Sequence, residues 1–356
     1  MAEPLSSSQD ALNPSAAEQR VVVANGHGEN LVGVLHHTGS NKVVVLCHGF
    51  TASKDDGIIV DLAAAITKHG ISVFHFDFSG NGESEGEFQY GNYRKEADDL
   101  HSVVSYLHRE KYDVAAIVGH SKGGDDVVLY ASIYKDIPMV VNLSGRFNLE
   151  KGVEEFLGKE FLDRINKEGY IDVTNKSGKV LCRVTKESLM ERLNTDMRAA
   201  SLSISKECRL FTIHGSADEI IPVEDAYEFA KLIPNHKLRV IEGANHCYTA
   251  HRKELSDAVV ESITSNECTW NLFQLSFAPT HVLRWKNSSV GCVVLELYEA
   301  SDSSAALGEI KLLSYGIPER PEPTKDNTEY GILSAEPWTV RNLNRDRNMS
   351  ERLPKM

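Results

Sequence analysis

A short apolar run followed by a segment of helical period recurs along residues 20 to 266, and this alternation restricts the fold more than any other feature. "RVVVANG" and "NLVGVLHHTG" read as a hairpin, and "KVVVLCHGF" as a buried strand ending in a His-Gly turn. "GIIVDLAAAITKHG" has helical spacing with Gly70 as its stop. "ISVFHFD" is the next strand, and the glycine-rich loop "FSGNGESEGEF" follows it. A helix is predicted over Tyr93 to Glu110, a strand over Val114 to Gly119, a helix after Ser121 and a strand over Pro138 to Gly145. The rhythm resumes with "CRLFTIHGSADEIIP", a helix over "VEDAYEFAKLI", the strand "KLRVIEGANH" and a last helix from Thr249 to Ser265. Strand and helix alternating this often predict an α/β protein with a mostly parallel central sheet of about eight strands and helices on both faces.

Residues 146–205 interrupt the pattern with charged helical segments and a hairpin turning near Ser177-Gly178. A plain loop of that length is improbable, so the segment is expected to be a small inserted lid. Residues 1–19 are polar and read as a disordered lead-in, with residues 20–266 as the main domain. From 267 to 356 the composition shifts: all three tryptophans and six of the eleven prolines lie there, and a weakly ordered C-terminal extension is expected. Within it "VGCVVLELYEA" reads as a strand.

The charge balance removes some classes of function. With 38 basic against 51 acidic residues the net charge is −13, so the field of the molecule repels nucleic acid. No run approaches the roughly twenty apolar residues of a membrane helix, so no membrane insertion is expected. Six cysteines without CxxC spacing read as reduced thiols, the lead-in reads as no export signal, and a cytoplasmic setting follows. HExxH and Cys/His quartets are lacking, so no metal and no cofactor are expected.

The chemistry concentrates on Gly119-His120-Ser121-Lys122-Gly123, a G-x-S-x-G pentapeptide where a strand turns into a helix. A serine hydroxyl needs a base, and the base an orienting carboxylate. Later strand ends supply both: Asp218 in "HGSADEIIP" and His246 in "EGANHCY". The "HGF" turn at 48 to 50 places a backbone N–H where it can join that of Lys122 around an oxyanion. Glu219 is the rival acid; His214 and His251 are rival bases, the first too near the acid in sequence and the second inside a predicted helix. Ser79 and Ser84 are rival serines without a strand-to-helix apex. His48 and His120 are expected to be structural, Cys247 a packed thiol, and Asp125-Asp126 a complement to the helix dipole. Lys122 reads either as a solvent-facing lysine or as one that lines the acyl pocket or pairs with Asp55 or Asp125.

Taken in order, "HGF", "FDFSGNGES", "GHSKGG", "HGSAD" and "GANH" resemble the α/β-hydrolase fold, and within it the cinnamoyl or feruloyl esterase-like branch of the serine aminopeptidase-like hydrolases. The resemblance covers residues 20 to 266. It implies Ser121 as nucleophile, His246 as base, Asp218 as acid, Phe50 with Lys122 as oxyanion-hole donors, and a lid at 146–205 that shapes the acyl pocket. Lysine stands at 122 where the family often has glutamine. The activity so implied is a serine carboxylesterase acting on small-molecule esters of small or aromatic acyl groups. A thioesterase, a peptidase, or a small-molecule receptor that retains the triad fits the same residues. Dehalogenases and epoxide hydrolases of this fold need an aspartate where Ser121 stands.

Overall fold

The computed structural model describes residues 17–175, 177–265, 281–287, 292–299, 306–313, 330–332 and 341–342. Two compact units divide the chain, Met1–Thr264 and Ser265–Met356. The strands of the first are β1 (Ala17–Ala24), β2 (Asn30–His37), β3 (Lys42–Cys47), β4 (Ser72–Phe76), β5 (Asp113–His120), β6 (Met139–Leu143), β7 (Tyr170–Thr174), β8 (Val180–Thr185), β9 (Arg209–Gly215) and β10 (His236–Ile241). Eight of them form one sheet in the order β1-β2-β4-β3-β5-β6-β9-β10, while β7 and β8 pair separately. From β4 to β10 every pairing is parallel, and β1 and β2 add an antiparallel edge. A parallel sheet is covered on both faces, which is why β3, β4 and β6 are mostly apolar and buried throughout their interiors, with His75 and Asn142 as buried polar exceptions.

The helices are α1 (Gly57–Thr67), α2 (Tyr93–Arg109), α3 (Lys122–Ile133), α4 (Val153–Leu157), α5 (Phe161–Glu168), α6 (Lys186–Asn194), α7 (Met197–Ser203), α8 (Glu224–Leu232) and α9 (Arg252–Thr264). Helix α1 packs against α9, whereas α2, α3, α7 and α8 pack in series. The Asp56 carboxylate caps α1 by accepting from the Ile58 amide at 2.9 Å. That helix ends at Thr67, and Gly70 takes φ +73° in the turn beyond it. Helix α2 buries Ala97, Leu100, Val103, Val104 and Leu107 at helical spacing and turns its charged residues outward, with Glu96 and Asp99 as buried exceptions. The last helix begins at Arg252, so His251 lies just before it.

Between β6 and β9 the chain runs through α4, α5, the β7–β8 hairpin, α6 and α7. Val153, Leu157, Ile165, Ile171, Val184 and Leu189 form a small core of their own. Met197 and Ile204 instead join the main core, so the far end of the 146–205 segment packs with the body of the domain. Among the described residues no helix is long and apolar enough to cross a membrane.

In the second unit β11 (His281–Asn287), β12 (Cys292–Glu299), β13 (Ala306–Leu313), β14 (Tyr330–Ile332) and β15 (Arg341–Asn342) form an antiparallel sheet ordered β13-β12-β11-β14-β15. The strand read at "VGCVVLELYEA" is β12, with β11 and β13 as its partners. The rest of the expected extension, and residues 1–16 of the expected lead-in, lie outside the described residues; Ala17–Gln19 belong to β1.

Candidate active site

The turn from β5 into α3 dictates the glycines around Ser121. Its backbone sits at φ 56° and ψ −119°, a strained conformation that lifts the side chain clear of both elements. Strand and helix approach so closely that a Cβ at Gly119 would lie 1.9 Å from the Gly123 carbonyl oxygen. The loop after β3 presses on the same turn, since a Cβ at Gly49 would be 3.1 Å from Ser121 Cβ.

Three side chains from three strand ends meet here. Ser121 Oγ lies 3.0 Å from His246 Nε2, and His246 Nδ1 donates to Asp218 Oδ2 at 2.8 Å. Asp218 Oδ1 accepts from the amides of Ile220 and Ile221 at 2.9 and 2.8 Å. Burial opposes the Asp218 charge, but donors from His214, His246 and Ile221 outweigh it and hold the carboxyl far below the usual carboxylate range. An ionised carboxylate on Nδ1 fixes the imidazole tautomer that leaves Nε2 free to accept a proton from the serine.

The rivals are placed elsewhere. Glu219 accepts from the backbone amide of His246 at 3.2 Å, so it steadies the histidine without touching the ring. His214 is buried, hydrogen-bonds to the Ile221 carbonyl at 2.9 Å and has its Nε2 3.3 Å from Asp218 Oδ2. Ser79 donates to Glu29 at 2.9 Å and Ser84 to the Asp77 carbonyl at 2.6 Å, so both tie down the loop after β4. His48 accepts from the Phe78 amide at 3.1 Å. The His120 Nε2 bonds to the His246 carbonyl at 3.0 Å, and burial with the nearby His246 ring holds its pKa down at about 4. A neutral His120 thus acts as a brace under the His246 loop.

Among the described residues the amides of Phe50 and Lys122 donate to no protein acceptor. Two free N–H groups beside the serine are what an oxyanion requires. The Phe50 ring lies against Phe88, Tyr90 and Phe156, with centroids 5.4, 5.7 and 5.6 Å away. These rings form an aromatic wall from the loop after β3 toward α4.

Several expectations need correction. Lys122 does not face solvent and pairs with neither Asp55 nor Asp125: its ammonium is buried, 2.7 Å from Glu96 and 5.0 Å from the centre of the Tyr93 ring. Asp55 is bound instead by Lys54 at 3.0 Å. Asp125 stands in the first turn of α3, as expected; it and Asp126 are both buried, and Asp125 accepts from the Arg146 amide at 2.6 Å. Burial raises the Asp126 carboxyl well above its ordinary range, with the Glu96 charge adding to it. Cys247 is exposed, not packed. Sequence reasoning missed Glu96, because one glutamate at helical spacing in a charged helix carries no sign that it turns inward. It also missed Tyr248, whose hydroxyl donates to the Ile213 carbonyl at 3.0 Å and meets Ser144 at 2.7 Å, anchoring the His246 loop. Among the described residues no cluster of His, Cys, Asp and Glu could hold a metal ion.

Residues 38–183 match the family described as serine aminopeptidase, S33. No curated protein matches the chain significantly. Among solved structures, Est1E from Butyrivibrio proteoclasticus with ferulic acid bound is 25% identical over 68% of this chain and 98% of its own, with a TM-score of 0.60. The Pyrococcus furiosus esterase Pf2001 is 23% identical over 69% of this chain and 91% of its own, with a TM-score of 0.54. The putative hydrolase from Agrobacterium vitis S4 shares the fold at 14% identity and a TM-score of 0.55. Sheet order, the matched family model and the solved structures together show that this chain has the α/β-hydrolase fold, with a likeness to the serine aminopeptidase family over residues 38–183.

Proposed function

We propose that the protein is a serine carboxylesterase acting on esters of small or aromatic acyl groups through an acyl-enzyme on Ser121. The observation that carries this reading is the continuous relay of Ser121, His246 and Asp218 at 3.0 and 2.8 Å, set on a strained turn. In the cycle His246 takes the Ser121 proton as Oγ bonds to the ester carbonyl carbon. The oxyanion forms between the Phe50 and Lys122 amides, and Asp218 stabilises the imidazolium. Collapse expels the alcohol, which receives the proton from His246. Water, deprotonated by the same imidazole, then releases the acid and restores Ser121. The aromatic rings around Phe50 favour acyl groups that stack, and the Est1E likeness supports hydroxycinnamoyl esters as the first to try. The activity belongs in the cytoplasm, where Cys47, Cys182, Cys208 and Cys247 persist as the free thiols they are here.

The test is turnover of p-nitrophenyl and hydroxycinnamoyl esters, with aminoacyl anilides beside them because of the family matched, by wild type and Ser121→Ala. Fluorophosphonate labelling, read by mass spectrometry, accompanies it. Ester turnover is expected to fall by about 10⁴-fold or more in the variant, with the label confined to Ser121 in the wild type. Anilides cleaved in preference to esters, or a wild type neither active nor labelled, overturns the proposal.

A further inference from the structure

Beyond the triad, two arginines are buried without a carboxylate partner. Arg146 is 9% exposed and Arg192 is 8% exposed, and among the described residues neither makes a salt bridge. Arg192 comes from α6, donates through Nε to the Leu149 carbonyl at 2.9 Å and through Nη1 to the Tyr93 hydroxyl. Arg146 comes from the segment after β6 and donates through Nη2 to the Ile220 carbonyl at 2.7 Å. A guanidinium has five N–H donors, so most of theirs find no protein acceptor. Arg192 Nη2 and Arg146 Nε and Nη1, the guanidinium nitrogens without a protein acceptor, are not fully enclosed.

A third group points to the same place. Tyr90 is 4% exposed, yet among the described residues its hydroxyl has no hydrogen-bond partner and is not fully enclosed. The Arg192 guanidinium lies 4.9 Å over its ring, and both arginines act electrostatically on its phenol. On its other side Tyr90 contacts Phe50 at 5.7 Å and stacks on Phe156 at 5.4 Å. The Tyr90 ring therefore touches the Phe50 side chain of the loop beside Ser121.

The negative groups facing the arginines do not cancel them. Asp125, from α3, is within electrostatic range of both, but its Oδ1 is taken by the Arg146 amide, and burial pushes its carboxyl toward the neutral form. Asp225, from α8, binds the Phe147 amide at 2.9 Å and has Lys151 at 3.9 Å as its counter-charge. Two guanidinium groups thus face at most one uncompensated carboxylate, and a buried excess cation calls for an anion.

We propose that Arg192, Arg146 and the Tyr90 hydroxyl form an anion subsite at the lid end of the acyl pocket, which takes a carboxylate carried on the far end of the acyl chain. The inference rests on the esterase reading of Ser121 and narrows its substrate to half-esters of dicarboxylic acids. The planar fork of arginine suits a carboxylate, and the aromatic wall suits the chain between the two ends.

The experiment compares aryl esters of neutral acids (butyrate, hexanoate) with aryl half-esters of succinate, glutarate and adipate, at low and high salt. For at least one chain length the half-ester is expected to lead in kcat/KM by about tenfold or more, the lead shrinking with salt. Arg192→Met and Tyr90→Phe should bring the ratio toward one by lowering half-ester kcat/KM far more than that of neutral esters. If Arg192→Met does not fold, Tyr90→Phe and Arg192→Lys carry the test, with the ratio expected to fall in both. Neutral esters preferred at every length, or both classes falling in parallel in the variants, overturns the subsite and leaves the esterase standing. If no ester is turned over, the esterase reading fails, and titration calorimetry with glutarate decides the subsite: binding lost in Tyr90→Phe upholds it, and no binding to wild type overturns it.

Discussion

Lys122 supplies an amide to the proposed oxyanion hole while its side chain runs the other way, into the interior beneath the serine. There the buried ammonium meets the buried Glu96 carboxylate at 2.7 Å. Removing one member of such a pair leaves a buried charge without its counterpart. Lys122→Met is therefore expected to lose about 3 kcal/mol of unfolding free energy in urea titration, and Lys122→Met with Glu96→Gln to recover more than half of that loss. Equal loss in single and double variants would show that the pair is not the unit. The sequence marked Lys122 as a departure from the family pattern it resembles, but its partner is twenty-six positions away on another helix, and nothing in either local pattern joins them.

The element that decides the chemistry is the turn between β5 and α3, and its tolerance is set by backbone clearance. An alanine at 119 would place Cβ 1.9 Å from the Gly123 carbonyl, so strand and helix must separate. Gly119→Ala is expected to cost stability at the upper end of the roughly 1–3 kcal/mol of overpacking, and to cut ester turnover by about 10²-fold or more through displacement of Ser121. Thermal unfolding and kcat of the purified variant check this, and a variant with wild-type kcat refutes it. This element was legible beforehand because glycine spacing and strand-to-helix patterning are both local. The 146–205 segment was less so: its helices and hairpin were visible, but its division between a small core of its own and the main core depends on where Met197 and Ile204 pack.

For the whole molecule, buried histidines set the response to acid. His75 and His36 share an N–H···N bond of 2.8 Å, and His75 Nδ1 bonds to the Lys54 carbonyl at 2.8 Å. His75 Nε2 must then accept from His36 Nε2, so protonating it sets two N–H donors face to face. Burial first, and His36 next, hold its pKa down at about 4. The unfolded chain takes up this proton near the free histidine value, about 6.5, so its stabilising effect is complete above that pH and is lost as pH falls toward 4. His120 adds to this acid loss with the same sign, while the raised carboxyls of Asp125 and Asp126 act oppositely. His75→Asn is expected to flatten the fall of unfolding free energy between pH 6.5 and 4 by an amount on the order of 2 kcal/mol. Urea midpoints across that window measure it, and an unchanged slope rules the histidine pair out as a contributor.

The sequence by itself determined the α/β class, the order of strands and helices over residues 20–266, and the three residues that meet at Ser121. Each of these is written in local periodicity, glycine spacing and position at strand ends. Only the tertiary structure decided which charged residues turn inward: Glu96 under Lys122, Asp125 and Asp126 in the core, Arg146 on the Ile220 carbonyl and Arg192 over Tyr90. Burial of a charge depends on partners brought together from distant helices and loops, and sequence spacing within one element carries no record of that.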